Sequence, residues 1–92
     1  MSDGLHIVSL TEYEYEVLKN NSMISQLCKK QLKSRRKNGD EIELSMTMGE
    51  LEDLIGHVAA EANHTRSKRQ AEDLGGICDY LEACSFNLRT QP

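Results

Sequence analysis

Large aromatic side chains are scarce in this chain of 92 residues, which has no Trp, three Tyr and a single Phe, Phe86. Aromatic residues bury the largest area per side chain, so the core has to come from Leu, Ile, Val, Met and Ala. In a domain this small, the free energy gained by burial barely exceeds the entropy lost on folding. A thin core therefore favours a surface that associates with another copy or with a partner.

Cysteines and long apolar runs are also few. Cys28, Cys78 and Cys84 are too few and too irregularly spaced for a disulfide framework, which indicates a reducing, cytoplasmic setting. The first twenty residues carry four acidic side chains and no long apolar run, so neither a signal peptide nor a transmembrane segment is expected. There is no nucleophile elbow, paired-cysteine motif or dinucleotide fingerprint. We predict a protein that is not an enzyme, has no cofactor and does not bind a membrane.

One pattern of ten residues occurs twice, thirty-six positions apart. Residues 9–18 and 45–54 both read Ser, apolar, Thr, two variable residues, Glu, apolar, Glu, one variable residue and Leu. A Thr followed three residues later by Glu is a capping box, in which the Thr side chain accepts from a free helix amide and the Glu accepts from the Thr amide. Each copy predicts a short strand that leads into a helix beginning at Thr11 or Thr47.

The whole chain predicts a single domain, residues 1–92, of the α+β class, mostly helical. Its expected order is strand-helix-helix-strand-helix-helix, with a two-stranded ribbon covered by helices. The expected elements are a strand 6–10, a helix 11–20, a helix from Ser22 to about Lys37, a strand 41–46, a helix from Thr47 to about Asn63, and a helix capped by Ser67 and Gln70.

Glycines and termini complete this prediction. Gly39 is expected to end the second helix. Gly75 and Gly76 predict either a kink in the last helix or the close approach of another backbone. Residues 1–4 and 87–92 are expected to be loose tails.

The third helix carries two sets of residues with functional interpretations. Small residues and an amide, Gly49, Gly56, Ala60 and Asn63, line one flank, where another helix can approach closely. This flank predicts either packing within the chain, against Gly75 and Gly76, or a groove for a partner.

The second set, Asp53, His57, Glu61 and His64, falls within an arc of about 80°. His57 and His64 lie about 10 Å apart along the helix axis, too far to bind one zinc ion together. Because the opposite arc is apolar, the favoured interpretation is a solvated face, and a metal-assisted activity is the weaker one. We predict no metal site.

Positive charge is concentrated in a chain whose net charge is −4. The first cluster is Lys29, Lys30, Lys33, Arg35, Arg36 and Lys37, and the second is Arg66, Lys68 and Arg69. Such clusters can bind phosphates, but no aromatic residues are interleaved for base stacking. Cations also stabilise the last turns of helices. A nucleic-acid-associated regulator is therefore the alternative function, disfavoured by the net acidity.

The stretch Ala59-Ala60-Glu61-Ala62-Asn63-His64, with the capped helix start at Thr47 before it, resembles a small uncharacterised bacterial domain that has no established activity. The resemblance spans less than half of the chain, residues 45–81. It implies a bacterial protein of unknown function. If the stretch marks a site, the resemblance implies Glu61, Asn63 and His64 as its polar members, with Glu61 and His64 paired at the helix end.

The leading functional prediction is a protein-protein interaction module or a self-associating module. Its predicted binding residues are Gly56, Ala60, Glu61, Asn63 and His64. The thin core, the small-residue flank and the missing catalytic motifs support this prediction together.

Overall fold

A computed structural model of the chain describes residues 4–90. Its elements are β1 (His6–Thr11), α1 (Glu12–Asn20), α2 (Ser22–Leu27), α3 (Lys29–Lys33), β2 (Arg36–Asn38), β3 (Glu41–Met46), α4 (Met48–His64) and α5 (Lys68–Thr90). The predicted α+β class, mostly helical, is confirmed. The predicted strand count is wrong, because β2 adds a third strand. Of the predicted tails, residues 1–3 and 91–92 lie outside the described range, and residues 87–90 are not a tail because α5 includes them.

Both capping boxes form as the repeat predicts. The Glu14 amide donates to Thr11 Oγ1 at 3.1 Å, and the Thr11 amide donates to the Glu14 carboxylate at 2.9 Å. The equivalent distances between Thr47 and Glu50 are 3.2 and 2.9 Å. The two copies therefore fix the starts of α1 and α4, each at the end of a strand.

The predicted second helix is wrong in its extent. Cys28 has φ −115° and ψ 33°, outside the helical region, and it separates α2 from α3. Asn21, rather than Ser22, caps α2, with its Oδ1 accepting from the Ile24 amide at 3.0 Å. The helix α3 ends at Lys33, and β2 begins three residues later at Arg36.

Gly39 does not end a helix, because it begins the turn of a hairpin. Asn38 of β2 pairs with Glu41 of β3, so the turn has two residues, Gly39 and Asp40. Gly39 has φ +61°, and Asp40 does not have positive φ. Glycine in the first of two turn positions, with positive φ only there, is typical of a type II′ hairpin.

The three strands form an antiparallel sheet in the order β1-β3-β2. One face of β1 and β3 is buried, and all five helices contribute to the rest of the core, α3 through Leu32. The buried apolar side chains include Val8, Leu10, Leu18, Ile24, Ile42, Leu44, Met46, Leu51, Leu54, Val58, Leu74, Ile77 and Leu81. Aliphatic side chains supply almost all of this core, as the composition predicts.

The helices α4 and α5 pack side by side in opposite directions. Ser85 Oγ lies 3.8 Å from Met48 Sδ, so the C-terminal half of α5 lies beside the start of α4. The helix α5 is continuous through Gly75 and Gly76, and within residues 4–90 no neighbouring element comes within 4 Å of where their Cβ atoms would lie. The predicted close approach of another backbone to these glycines is therefore wrong. Within the same range, no helix is both long and apolar enough to span a membrane.

The start of α5 is capped differently from the prediction. The Gln70 amide donates to Ser67 Oγ at 3.2 Å, as in a capping box. The Gln70 side chain, however, accepts from Thr65 Oγ1 at 2.6 Å instead of from the Ser67 amide, which donates to the same Thr65 hydroxyl at 3.2 Å. Thr65 therefore joins the end of α4 to the start of α5 and takes the place of the reciprocal bond.

Glu50 makes the start of α4 sensitive to acid. Its bond from the Thr47 amide, followed in importance by the hydrogen bond from Lys30, holds the pKa of the Glu50 carboxyl below its ordinary value of 4.5. A lowered pKa gives stability that is present above the unfolded-state pKa and is lost as pH falls through the folded-state pKa. We expect Glu50→Gln, which keeps an accepting oxygen for the capping box, to flatten the fall of Tm below about pH 5. Thermal melts from pH 7 to about pH 3 test this, with Glu72→Gln as the control; an unchanged acid limb would contradict it.

Candidate interaction groove and basic surface

A groove of about 400 Å³ runs between α4 and α5, and we call it the α4–α5 groove. Its lining residues are Glu52, Ile55 and Gly56 of α4 and Glu82, Ser85, Phe86 and Arg89 of α5. Within the described range, no neighbouring element comes within 4 Å of where a Gly56 side chain would begin, so this residue leaves the groove open. The Phe86 side chain is 66% exposed, the highest value among the large hydrophobic residues of the described range. The groove therefore combines an apolar centre with a charged rim.

Arg89 is held in place at one end of the groove. Its guanidinium lies 2.7 Å from the Glu52 carboxylate and donates to Ser85 Oγ at 3.1 Å. Glu82 lines the same groove and forms no ion pair within residues 4–90. One side of the groove on α5 thus carries an oriented cation, an exposed ring and a carboxylate without a cationic partner.

The structure separates the residues predicted to bind a partner. Gly56 lies in the α4–α5 groove, whereas Ala60, Asn63 and His64 are exposed on α4 and do not line it. Glu61 is half-buried and accepts a hydrogen bond from Asn21 Nδ2 at 3.1 Å. As binding residues, Ala60, Asn63 and His64 stay predictions.

The Glu61 contact joins two parts of the fold. Asn21 is 7% exposed, and it caps α2 with its carbonyl while its amide group donates to Glu61 of α4. Glu61 is therefore part of tertiary packing. Within residues 4–90, no three His, Cys, Asp or Glu side chains form a group that could hold a metal ion, and the set His57, Glu61 and His64 is no exception.

The basic residues of the first cluster differ in their surroundings. Three of them are paired: Lys30 with Glu50 at 2.9 Å, Lys37 with Glu12 at 3.2 Å and Arg36 with Glu43 at 3.7 Å. The other three line a hollow of about 260 Å³, which we call the α3 hollow. Its lining residues are Tyr15, Lys19, Ser25, Lys29, Leu32, Lys33 and Arg35. Four cations therefore surround one concave surface, and no carboxylate of residues 4–90 lines it.

The second basic cluster lies near the first. Arg69 lines a hollow of about 300 Å³ at the start of α5, together with Val17, Asn20, Ser67, Gln70 and Asp73. Asn20 directly follows Lys19 in α1, so consecutive residues of this helix line the two hollows. Arg66 and Lys68 are exposed in the same region of the chain.

Three residues of these surfaces were not among the predicted site residues. Phe86 directly precedes the predicted tail 87–92 and Arg89 lies within it, because the sequence did not show that α5 extends to Thr90. Lys19 is isolated from other basic residues in the sequence, and only the packing of α1 against α3 brings it to the cluster. Its position in the last turn of a predicted helix was the one available signal.

The buried thiols have little reactivity. Burial, followed by the charge of Asp53, raises the pKa of the Cys28 thiol to about 11. Burial is also the main cause that raises the pKa of the Cys78 thiol. Because the thiolate is the reactive form, these raised pKa values disfavour a nucleophilic role for either residue at neutral pH.

Comparison with protein families, with curated proteins and with solved structures finds no match to this chain. The resemblance of residues 59–64 to an uncharacterised bacterial domain therefore stays a prediction. The candidate sites of this protein are the α4–α5 groove and the α3 hollow.

Proposed function

We propose that this protein is a self-associating interaction module, and that two copies bind each other through their α4–α5 grooves. The observation that carries the proposal is the order of residues along the exposed side of α5. Glu82 precedes Ser85 by three positions, and Arg89 follows Phe86 by three positions. All four line the same groove, so two opposite charges lie at equal distances on either side of Ser85 and Phe86.

This equal spacing of opposite charges fits a dimer with a two-fold axis. When two α5 helices cross in opposite directions at Ser85 and Phe86, Glu82 of each copy faces Arg89 of the other. The two charges are seven residues apart, about 10 Å along a helix, and this spacing is the same read from either end. Both ion pairs therefore form together, as an interface between two identical surfaces requires.

Phe86 supplies the apolar centre of this interface. Its ring is exposed in one copy and lies beside the open space at Gly56, which can receive the ring of the other copy. A specific interface buries about 800 Å² on each partner, roughly one eighth of the 5952 Å² surface of this chain. Aromatic and arginine side chains near the centre carry most of the binding energy in such interfaces.

The proposal places the protein in the cytoplasm. Cys28, Cys78 and Cys84 are all free thiols in this structure. Proteins of reducing compartments keep thiols in this state, and association through a groove requires no disulfide between copies.

Charge reversal tests the proposal directly. We expect sedimentation velocity of the wild type to show a species of twice 10.4 kDa that increases with concentration. Glu82→Arg alone and Arg89→Glu alone place like charges opposite each other and weaken association by about tenfold or more. The double variant E82R/R89E restores attraction, and with it the dimer.

A control variant separates this effect from net charge. Glu72→Arg changes the charge of α5 as Glu82→Arg does, but Glu72 does not line the α4–α5 groove. We expect this control to dimerise like the wild type. A wild type that stays monomeric at about 0.5 mM, or a Glu82→Arg variant that dimerises like the wild type, would refute the interface.

A further inference from the structure

The α3 hollow contains an unusual concentration of positive charge for an acidic protein. Lys19, Lys29, Lys33 and Arg35 line it, and none of them has a carboxylate partner within 4 Å in the described range. Like charges around one concave surface repel each other, and an anion bound between them relieves that repulsion. The hollow is therefore a site suited to negative charge.

Helix ends explain only part of this arrangement. Lys19 and Lys33 lie in the last turns of α1 and α3, where the helix dipole stabilises cations. Lys29 is instead the first residue of α3, where the dipole disfavours a cation, and Arg35 lies beyond its end. The helix dipole therefore does not explain why Lys29 and Arg35 line the hollow.

Arg35 is oriented by an aromatic ring. Its guanidinium lies 5.8 Å from the centroid of the Tyr15 ring. Tyr15 is buried, and its hydroxyl donates to the Leu32 carbonyl oxygen at 3.4 Å. A guanidinium stacked on a fixed ring keeps its outward N–H donors free for an oxygen ligand.

We infer that the α3 hollow binds the phosphates of a single-stranded nucleic acid. Lys and Arg side chains together neutralise successive phosphates of a backbone. The cations converge on a concave surface instead of following one helix or strand, which suits a flexible backbone that can bend into the hollow. The only ring that lines it, Tyr15, is buried, so the bases are not stacked and binding is independent of sequence.

Two other hollows lie near the α3 hollow. The one at the start of α5 is lined by Arg69, a fifth cation, and by Asp73. Glu12 and Glu16 line the other, together with Arg35 and Lys37. Carboxylates therefore lie in both neighbouring hollows, Asp73 in one and Glu12 and Glu16 in the other, so the phosphates bind within the α3 hollow itself.

Two charge-matched double variants test the inference. Lys29→Gln with Lys33→Gln removes two cations of the hollow, and Lys30→Gln with Lys37→Gln removes two cations that are already paired with Glu50 and Glu12. Both change the net charge from −4 to −6. Binding of a fluorescent oligo(dT) and an oligo(U) of about 15 nucleotides is measured by anisotropy between about 20 and 200 mM salt.

We expect the hollow variant to bind at least about tenfold more weakly than the wild type at about 50 mM salt. Its slope of log K against log salt should be shallower by roughly 1.4, or 0.7 for each lost phosphate contact on a single strand. The paired-cation variant should lose less than about threefold. Thermal melts of both variants verify that each one folds.

Three results would overturn the inference. The first is no binding of either oligonucleotide by the wild type at the lowest salt. The second is an equal loss in both double variants, which would mean that net charge alone is responsible. The third is equally tight binding of polyglutamate, which would mean that the hollow takes acidic polypeptides. None of these variants lies in the α4–α5 groove, so this test is independent of self-association.

Discussion

Replacing Asn21 with Ala should lower the free energy of unfolding by about 3 kcal/mol. The helix cap on Ile24 contributes about 1 kcal/mol. The amide group of Asn21 also donates to the carboxylate of Glu61, and a hydrogen bond to a charged group contributes about 1.5–3 kcal/mol. The variant loses both, and it leaves a half-buried carboxylate without this donor.

A double-mutant cycle with Glu61→Ala separates the two contributions. Because the residues share one hydrogen bond, the sum of the two single-variant losses of unfolding free energy should exceed the loss of the double variant by about 1 kcal/mol or more. Asn63→Ala, at an exposed position of α4, is the control and should change stability by less than about 0.5 kcal/mol. Urea denaturation provides all four values. Additive losses would mean that Asn21 and Glu61 contribute separately.

A second large effect distinguishes a core residue from a residue of the proposed interface on the same helix. Leu81 is fully buried and Phe86 is 66% exposed. Leu81→Ala should cost about 3 kcal/mol of unfolding free energy, since it removes buried apolar atoms and leaves a cavity. Phe86→Ala should change monomer stability by less than about 0.5 kcal/mol, yet weaken self-association by about tenfold or more.

Measuring both properties on both variants makes the distinction. Urea denaturation is done at a concentration where the wild type is monomeric, because association itself adds stability. Sedimentation at high concentration then reports binding. If Phe86→Ala destabilised the monomer as much as Leu81→Ala, Phe86 would be a core residue and the proposed interface would lose its centre.

Local sequence chemistry predicted the parts of this fold that depend on neighbours a few residues away. The boxes at Thr11 and Thr47 are complete within four residues, and both formed with bonds of 2.9–3.2 Å. The strand from Glu41 to Met46 alternates apolar residues on one face, and its predicted bounds match β3. The period of the apolar residues and the capping residues can both be read within one short stretch of sequence, without knowledge of distant contacts.

The missed features depend on distant contacts. β2 consists of Arg36, Lys37 and Asn38, all exposed, and no apolar alternation marks it. It is a strand because β3 offers hydrogen-bonding groups beyond the hairpin turn at Gly39. The last turn of α5 was missed for the same reason, since α4 stabilises that part of the helix through the Arg89–Glu52 pair. Both surfaces of functional interest lie where such distant contacts meet.

The topology of the sheet also sets the order in which the chain can assemble. β3 joins β2 through a two-residue turn, and α4 joins α5 through three residues. β1 instead pairs with β3 from Thr11 with Glu41 to His6 with Met46, so residues 12–40 form a loop of twenty-nine residues that closes when these two strands meet. We therefore expect the local pairings within residues 36–90 to form before β1 joins the sheet. The hydroxyl of Tyr80 in α5 donates to the Ser9 carbonyl oxygen at 2.6 Å and stabilises β1 in the sheet. We expect β2, whose three residues are all exposed, to open in local unfolding before β1, which buries Val8 and Leu10 against the core.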